Sequence, residues 1–108
     1  MKLSLVVIVA NAGRADEIMD VIKLDGARGG TIINGNSSVS ANALKLYGIS
    51  IQKEKDCILV IVDSSIKNKI LKSVYDLNQA HNLGAIAFSM PISDASENLL
   101  SQYQKSEE

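Results

Sequence analysis

The stretch from Gly26 to Ile33 contains the residues of this chain that are best suited to hold a ligand. It places three glycines and Arg28, one of only two arginines, between a helical pattern and a strand-like run. Glycine lets the backbone turn sharply and approach another group closely. The same glycines would also suit a helix that simply ends before a strand. Two interpretations therefore stay open here, a ligand-binding junction and a helix stop.

A second candidate lies after the first apolar run, where Asn11 and Arg14 flank an Ala-Gly pair. An acylphosphatase-like hydrolase could use Arg14 and backbone amides to bind phosphate, and Asn11 to position water. This is the alternative function that the pattern allows. The competing interpretation, a helix cap followed by a surface arginine, is favoured by the residue types.

Cys57 and His81 are the only cysteine and histidine, and they belong to different predicted elements. No third group is indicated beside them, so no nucleophile with an adjacent base is visible. One thiol and one imidazole per chain also make a poor metal site. We therefore expect no catalytic residue and no bound metal.

Charge and composition exclude several classes of function. Eleven basic and twelve acidic residues leave a formal charge of −1, so no broad basic surface favours nucleic acids or anionic membranes. The apolar start over residues 3–10 is too short to span a bilayer, and no signal-peptide cleavage pattern follows it. We expect a cytoplasmic protein without membrane insertion, whose partners are small molecules and proteins.

The apolar patterns predict two strand–helix–strand units of about thirty residues each. The predicted strands cover residues 3–9, 31–33, 57–62 and 85–90, with an amphipathic helix inside each unit. Asp63 begins a cap sequence for the second helix, and Asn82 and Gly84 end it. This order is typical of an α+β, ferredoxin-like βαβ-loop-βαβ sandwich with an antiparallel sheet.

The domain plan follows from these elements. Residues 1–95 form the ferredoxin-like domain, and residues 34–55 form a long insert, or flap, between its halves. Residues 96–108 form a C-terminal helix and tail, with Ser93 and Asp94 as candidate helix caps.

The first predicted strand is apolar on both sides, with Leu5, Val7 and Val9 on one face and Val6 and Ile8 on the other. Two short helices cannot cover both faces of such a sheet, and an exposed apolar sheet face promotes aggregation. The sequence therefore predicts a homo-oligomer that buries the second face.

Three segments resemble the PII-like nitrogen-regulatory family of signalling proteins: 26–32, 47–55 and 84–91. With their spacing, the resemblance covers about residues 1–95. It implies a trimer of ferredoxin-like protomers that is not an enzyme. It also implies that a small effector, in well-known members an adenine nucleotide, binds in clefts between subunits, and that the long loop regulates a target enzyme or transporter.

The resemblance implies a specific set of site residues. The ligand-binding positions are Arg28, Gly29, Gly30, Thr31, Asn34, Gly35, Asn36, Ser37, Ser38, Gly84 and Ala85. The partner-binding positions in the loop are Ser40, Leu44, Lys45 and Tyr47. Segments 34–38 and 82–85 contain no basic residue. Because a triphosphate needs several cations or a cradle of amides, the sequence disfavours ATP as the effector.

Overall fold

The computed structural model describes residues 2–38 and 53–105. The described strands and helices follow one another in the predicted order, and the α+β fold class is confirmed. The strands are β1 (Leu3–Asn11), β2 (Thr31–Asn36), β3 (Glu54–Asp63) and β4 (Ile86–Pro91). The helices are α1 (Ala15–Leu24), α2 (Lys67–His81) and α3 (Glu97–Lys105), with one 3₁₀ turn (Ser64–Ile66) before α2.

The four strands form one antiparallel sheet in the order β2-β3-β1-β4. This is the strand order of a ferredoxin-like sandwich, as the sequence predicts. β1 lies at the centre, with Leu3 opposite Asp63 on β3 and Ser4 opposite Pro91 on β4. β2 and β4 form the two edges.

The helices α1 and α2 cover one face of the sheet. Alternate residues of the central strands point to this face and are fully buried: Val6, Ile8 and Ala10 on β1, and Ile58, Val60 and Val62 on β3. They pack against Ile18 and Ile22 of α1 and against Ile70 and Val74 of α2. The buried residues recur at every second position on the strands and at every fourth position on the helices, as expected when helices pack on a sheet.

The predicted cap residues lie at the start of the 3₁₀ turn that precedes α2 and at the end of α2. The Asp63 carboxylate accepts a hydrogen bond from the Ser65 backbone amide at 2.9 Å. The hydrogen bonds from Ser65 lower the pKa of Asp63 below its usual value. At the other end, Asn82 adopts the left-handed conformation that stops a helix, with a φ of 53°.

The opposite face of the sheet is also apolar. Ile86, Val9, Cys57 and Ile33 are direct cross-strand partners and form an apolar row across all four strands. Its two edge residues are well exposed, Ile86 at 64% and Ile33 at 49%. The sequence prediction of a sheet that is apolar on both faces is therefore confirmed.

α3 covers part of this second face. Leu99 and Tyr103 of α3 share a cavity wall with Leu59 and Ile61, and these two β3 residues point away from α1 and α2. The sequence predicts this helix, but its position on the sheet depends on long-range contacts that local patterns do not contain. The second face is thus partly covered by the chain itself.

Two boundaries differ from the sequence prediction and are corrected by the structure. The insert does not span 34–55, because residues 34–36 pair with residues 56–54 and extend the sheet on both sides. α3 begins at Glu97 rather than after Ser93 and Asp94, since the Ser96 carbonyl accepts the first amides of the helix. In both places strand pairing or backbone bonding outweighs side-chain propensity.

Candidate functional site

A cavity of about 550 Å³ opens where the connection between β2 and β3 leaves the sheet. We call it the root cavity. Three elements form it: the turn after β1, the end of β2 and the start of β3. Its lining residues are Ala12, Gly13, Asn34, Gly35, Asn36, Glu54, Lys55 and Asp56. Its volume lies within the range of small-molecule sites.

Lys55 is the cation of the root cavity. Its ammonium donates to the Asn11 side-chain oxygen at 2.7 Å, in a partly buried position. Among residues 2–38 and 53–105, no carboxylate forms an ion pair with it. An ammonium held by one neutral oxygen keeps donors that an anionic ligand can use.

Asp56 holds the floor of the root cavity in place. Only 8% of the residue is exposed, and its carboxylate accepts a hydrogen bond from the Gly13 amide at 3.0 Å. Gly13 has a φ of 90°, which allows the sharp turn between β1 and α1. Asp56 therefore fixes the turn to β3.

The structure joins the loop before β4 to the root cavity through Asn11. The Asn11 amide donates to the Leu83 carbonyl at 2.9 Å. Gly84 has a φ of 61°, and a Cβ there would lie 2.6 Å from the Asn11 side-chain oxygen. Only glycine fits this approach without displacing Asn11. Ala85 is held by its amide, which donates to Asn78.

A smaller cavity of about 190 Å³ lies on the other side of the same strand ends. Val9, Ile33 and Cys57 of the apolar row line it, together with Ser37 and Lys55. The start of the β2–β3 connection thus borders both the polar root cavity and the apolar row. Lys55 lines both cavities.

The predicted residues at Arg28–Thr31 form a separate site at the opposite end of β2. Thr31 and Asn36 bound this strand, so about 17 Å separates the two ends at roughly 3.3 Å per residue. Here a cavity of about 330 Å³ lies between the glycines and α3. Within one chain, the residues that the sequence assigns to a single cleft therefore fall into two groups.

Arg28 contacts α3 in two ways. Its Nη1 atom donates to the Gln102 carbonyl at 2.7 Å. Its guanidinium carbon lies 4.4 Å from the centre of the Tyr103 ring, in cation–π geometry. Burial raises the pKa of Tyr103, and the nearby charge of Arg28 acts in the opposite direction. Both partners of Arg28 are neutral.

The turn proposed for an acylphosphatase-like hydrolase is occupied by internal contacts. The amides of residues 11–14 donate respectively to Leu83 O, Glu54 O, Asp56 Oδ2 and Asn11 O. Arg14 donates to the Glu17 carboxylate at 2.7 Å. A phosphate cradle needs amides that point outward, so this geometry does not favour phosphate binding at the turn.

The structure describes two further predicted positions and does not describe four others. Ser37 donates its amide to the Lys53 carbonyl at 2.7 Å, and Ser38 is exposed. Ser40, Leu44, Lys45 and Tyr47 lie outside the described residues. In the described part of the chain, no group of three or more His, Cys, Asp or Glu residues could hold a metal ion.

Sequence reasoning missed Asp56 and the contribution of Glu54 to the cavity. A signal for Asp56 was available, because it falls in register with the buried Ile58 and Val60 on β3. A carboxylate at a helix-facing strand position is uncommon unless it has a partner.

None of the described helices is long and apolar enough to cross a membrane.

Comparisons with known proteins identify the fold. No protein-family model and no curated protein match the sequence. Among solved structures, a PII-like signalling protein of Thermus thermophilus has a TM-score of 0.66 at 22% identity, over 85% of this chain and 87% of its own.

Two further structures agree with this result. CPII of Thiomonas intermedia, bound to ADP, AMP and acetate, has a TM-score of 0.65 at 16% identity, over 88% of this chain and 90% of its own. A DUF3240-family protein of Shewanella baltica has a TM-score of 0.65 at 18% identity, over 89% of this chain and 96% of its own. This chain therefore has the fold of the PII-like signalling proteins.

Proposed function

We propose that this chain is the protomer of a PII-like regulatory homo-oligomer that binds a small anionic effector and performs no catalysis. The effector class is an adenine nucleotide with few phosphates, AMP or ADP. The target is a partner protein, an enzyme or transporter, that contacts the β2–β3 connection. A cytoplasmic location and a trimeric assembly belong to the same proposal.

The observation that carries this proposal is the root cavity. It combines a ligand-sized volume with Lys55, whose ammonium has a neutral partner, at the base of the β2–β3 connection. A ligand bound there would touch both ends of the connection, because Asn36 and Glu54 line the cavity. Effector binding could thus change what the connection presents to a partner. The ADP and AMP bound to CPII, which shares the fold, support the choice of nucleotide class.

The charge of the cavity selects among nucleotides. Lys55 is its one cation among the described residues, while Glu54 and Asp56 are anionic. A triphosphate would bring more negative charge than one ammonium can offset. AMP and ADP should therefore bind more tightly than ATP.

Calorimetric titration with AMP, ADP, ATP and bicarbonate tests the proposal. The matched variants are Lys55→Met in the cavity and Lys72→Met on α2, where Lys72 pairs with Asp76 at 3.0 Å on the surface. We expect AMP or ADP to bind, and Lys55→Met to weaken binding about 10- to 100-fold, since a charge-assisted hydrogen bond contributes about 1.5–3 kcal/mol. Lys72→Met should bind like the wild type.

Two results would contradict the proposal. One is the absence of binding heat for all four ligands together with an unchanged melting temperature. The other is equal weakening in both lysine variants, which would indicate a general charge effect rather than a site at Lys55.

A further inference from the structure

α3 lies across the sheet face that α1 and α2 leave open, and its position there is specific. Tyr103 is 8% exposed, and its hydroxyl donates to the Ile61 carbonyl on β3. Leu100 shares a second cavity wall with Leu3 at the start of β1. These contacts with β3 and β1 pack the helix on the sheet.

The attachment of α3 uses the one charged residue of the glycine junction. Arg28 donates to the Gln102 carbonyl and stacks on the Tyr103 ring. These contacts occupy one face of the guanidinium and one of its donors. A ligand that binds Arg28 by the same face must first displace Tyr103.

The cavity beneath α3 is small, and α3 forms one of its walls. Its volume of about 330 Å³ is at the lower end of the range for small-molecule sites. Leu59 and Ile61 line it on the sheet side, and Leu99 and Tyr103 line it on the helix side. Removal of the helix would open the cavity along Gly29 and Gly30, whose backbone lies at its edge.

We infer that α3 is an autoinhibitory strap over the glycine junction. The closed strap holds Arg28 in contacts with neutral groups of its own chain. A ligand opens the strap when it offers Arg28 the same two partners, a flat π-system in place of Tyr103 and an acceptor oxygen in place of the Gln102 carbonyl. A flat aromatic ring that carries an anionic group has this chemistry. The inference goes beyond the proposed function, because the glycine junction lies at the opposite end of β2 from the root cavity and is a second binding place for such a ligand.

The strap has a measurable consequence for affinity. When only the open state binds, the apparent affinity is reduced by the fraction of molecules that are open. A change that weakens the strap without touching Arg28 should therefore tighten binding. By reciprocity, a bound ligand should release α3.

The experiment combines calorimetry with amide hydrogen exchange on the full chain, with AMP as the probe, and is repeated in a Lys55→Met background so that binding at the glycine junction is measured apart from the root cavity. The variants are Tyr103→Ala, which removes the ring and the hydroxyl, and Tyr103→Phe, which keeps the ring over Arg28. Tyr75→Ala on α2 is the matched control, because Tyr75 is 63% exposed on the other side of the sheet.

We expect AMP to raise the exchange rate of the α3 amides in the wild type, while β1 and β3 stay protected. Tyr103→Ala should lose most α3 protection without ligand and bind AMP about tenfold more tightly. Tyr103→Phe should lie between the wild type and Tyr103→Ala, and Tyr75→Ala should match the wild type. Retained β1 and β3 protection in Tyr103→Ala shows that the variant is folded.

Three outcomes would contradict the inference that α3 is an autoinhibitory strap. AMP binding that leaves α3 exchange unchanged shows that the ligand does not move the helix. Equal or weaker AMP binding by Tyr103→Ala shows that the helix does not inhibit, and it leaves the proposed function standing. No AMP binding by either protein rejects the strap and the proposed effector class together.

Discussion

Gly84 offers a sharp test of how the loop before β4 is joined to the root cavity. A Cβ at this position would meet the Asn11 side chain at 2.6 Å, and the φ of 61° is one that side-chain-bearing residues rarely adopt. The substitution Gly84→Ala therefore combines two costs. The first is the left-handed backbone conformation, about 1–2 kcal/mol.

The second cost is a lost hydrogen bond. The atoms in the way of the new methyl group are the end of the Asn11 side chain, which can rotate aside. That rotation breaks the 2.7 Å bond from the Lys55 ammonium to the Asn11 oxygen. A hydrogen bond to a charged group contributes about 1.5–3 kcal/mol, and the partial exposure of Lys55 places this one at the low end. Gly84→Ala should thus destabilise the fold by about 2.5–4 kcal/mol.

Gly13→Ala is the matched control. Gly13 also has a positive φ, of 90°, but nothing lies within 4 Å of a Cβ built there. It should show the backbone cost alone, about 1–2 kcal/mol. A second control places Gly84→Ala in an Asn11→Ala background, where the extra cost should vanish.

Urea denaturation of the four variants at one protein concentration measures these differences as free energies of unfolding. The key quantity is the coupling between positions 84 and 11, expected at about 1.5 kcal/mol or more. If Gly84→Ala costs no more than Gly13→Ala, or costs the same with and without Asn11, the reasoning is refuted. In that case Asn11 would not connect the loop to Lys55.

Two further predictions concern the second face of the sheet. Because burial raises the pKa of Tyr103, this tyrosine stabilises the fold below the unfolded pKa of about 10, and that stability is lost as the pH rises through the folded pKa. The unfolding free energy of the wild type should therefore fall more than that of Tyr103→Phe between about pH 9 and 11, and parallel curves would contradict this. For assembly, light scattering at micromolar concentration should show a homo-oligomer that Phe88→Asp weakens at least about tenfold, since Phe88 is 46% exposed on the open face. Leu24→Asp on α1 should leave it intact, and a monomeric wild type would refute the assembly.

Local sequence patterns were sufficient for most of the fold. The apolar runs of β1 and β3, the Asp63 cap and the Asn82 stop each depend on residues close in the chain. Such features follow from dihedral preferences and nearby hydrogen bonds, so a single sequence contains them.

The parts that could not be predicted depend on long-range pairing. The strand residues Asn34, Gly35 and Asn36 have no apolar pattern and low strand propensity, and only their pairing with β3 makes them a strand. Arg28 meets Gln102 across 74 positions of sequence, so no local rule indicates that the candidate ligand-binding arginine holds a helix. The candidate site was expected in clefts between subunits, and nothing in the sequence shows that within one chain its segments lie at both ends of β2.

The central position of β1 determines how this protein must fold as it is synthesised. β1 is made before both of the strands that it pairs with, β3 on one side and β4 on the other. β4 ends about 80 residues after β1 ends. At about 5–20 residues per second, the apolar β1 strand waits roughly 4–16 s for its second partner. Expression yield should therefore depend on what shields this segment at the ribosome as much as on the stability of the finished fold.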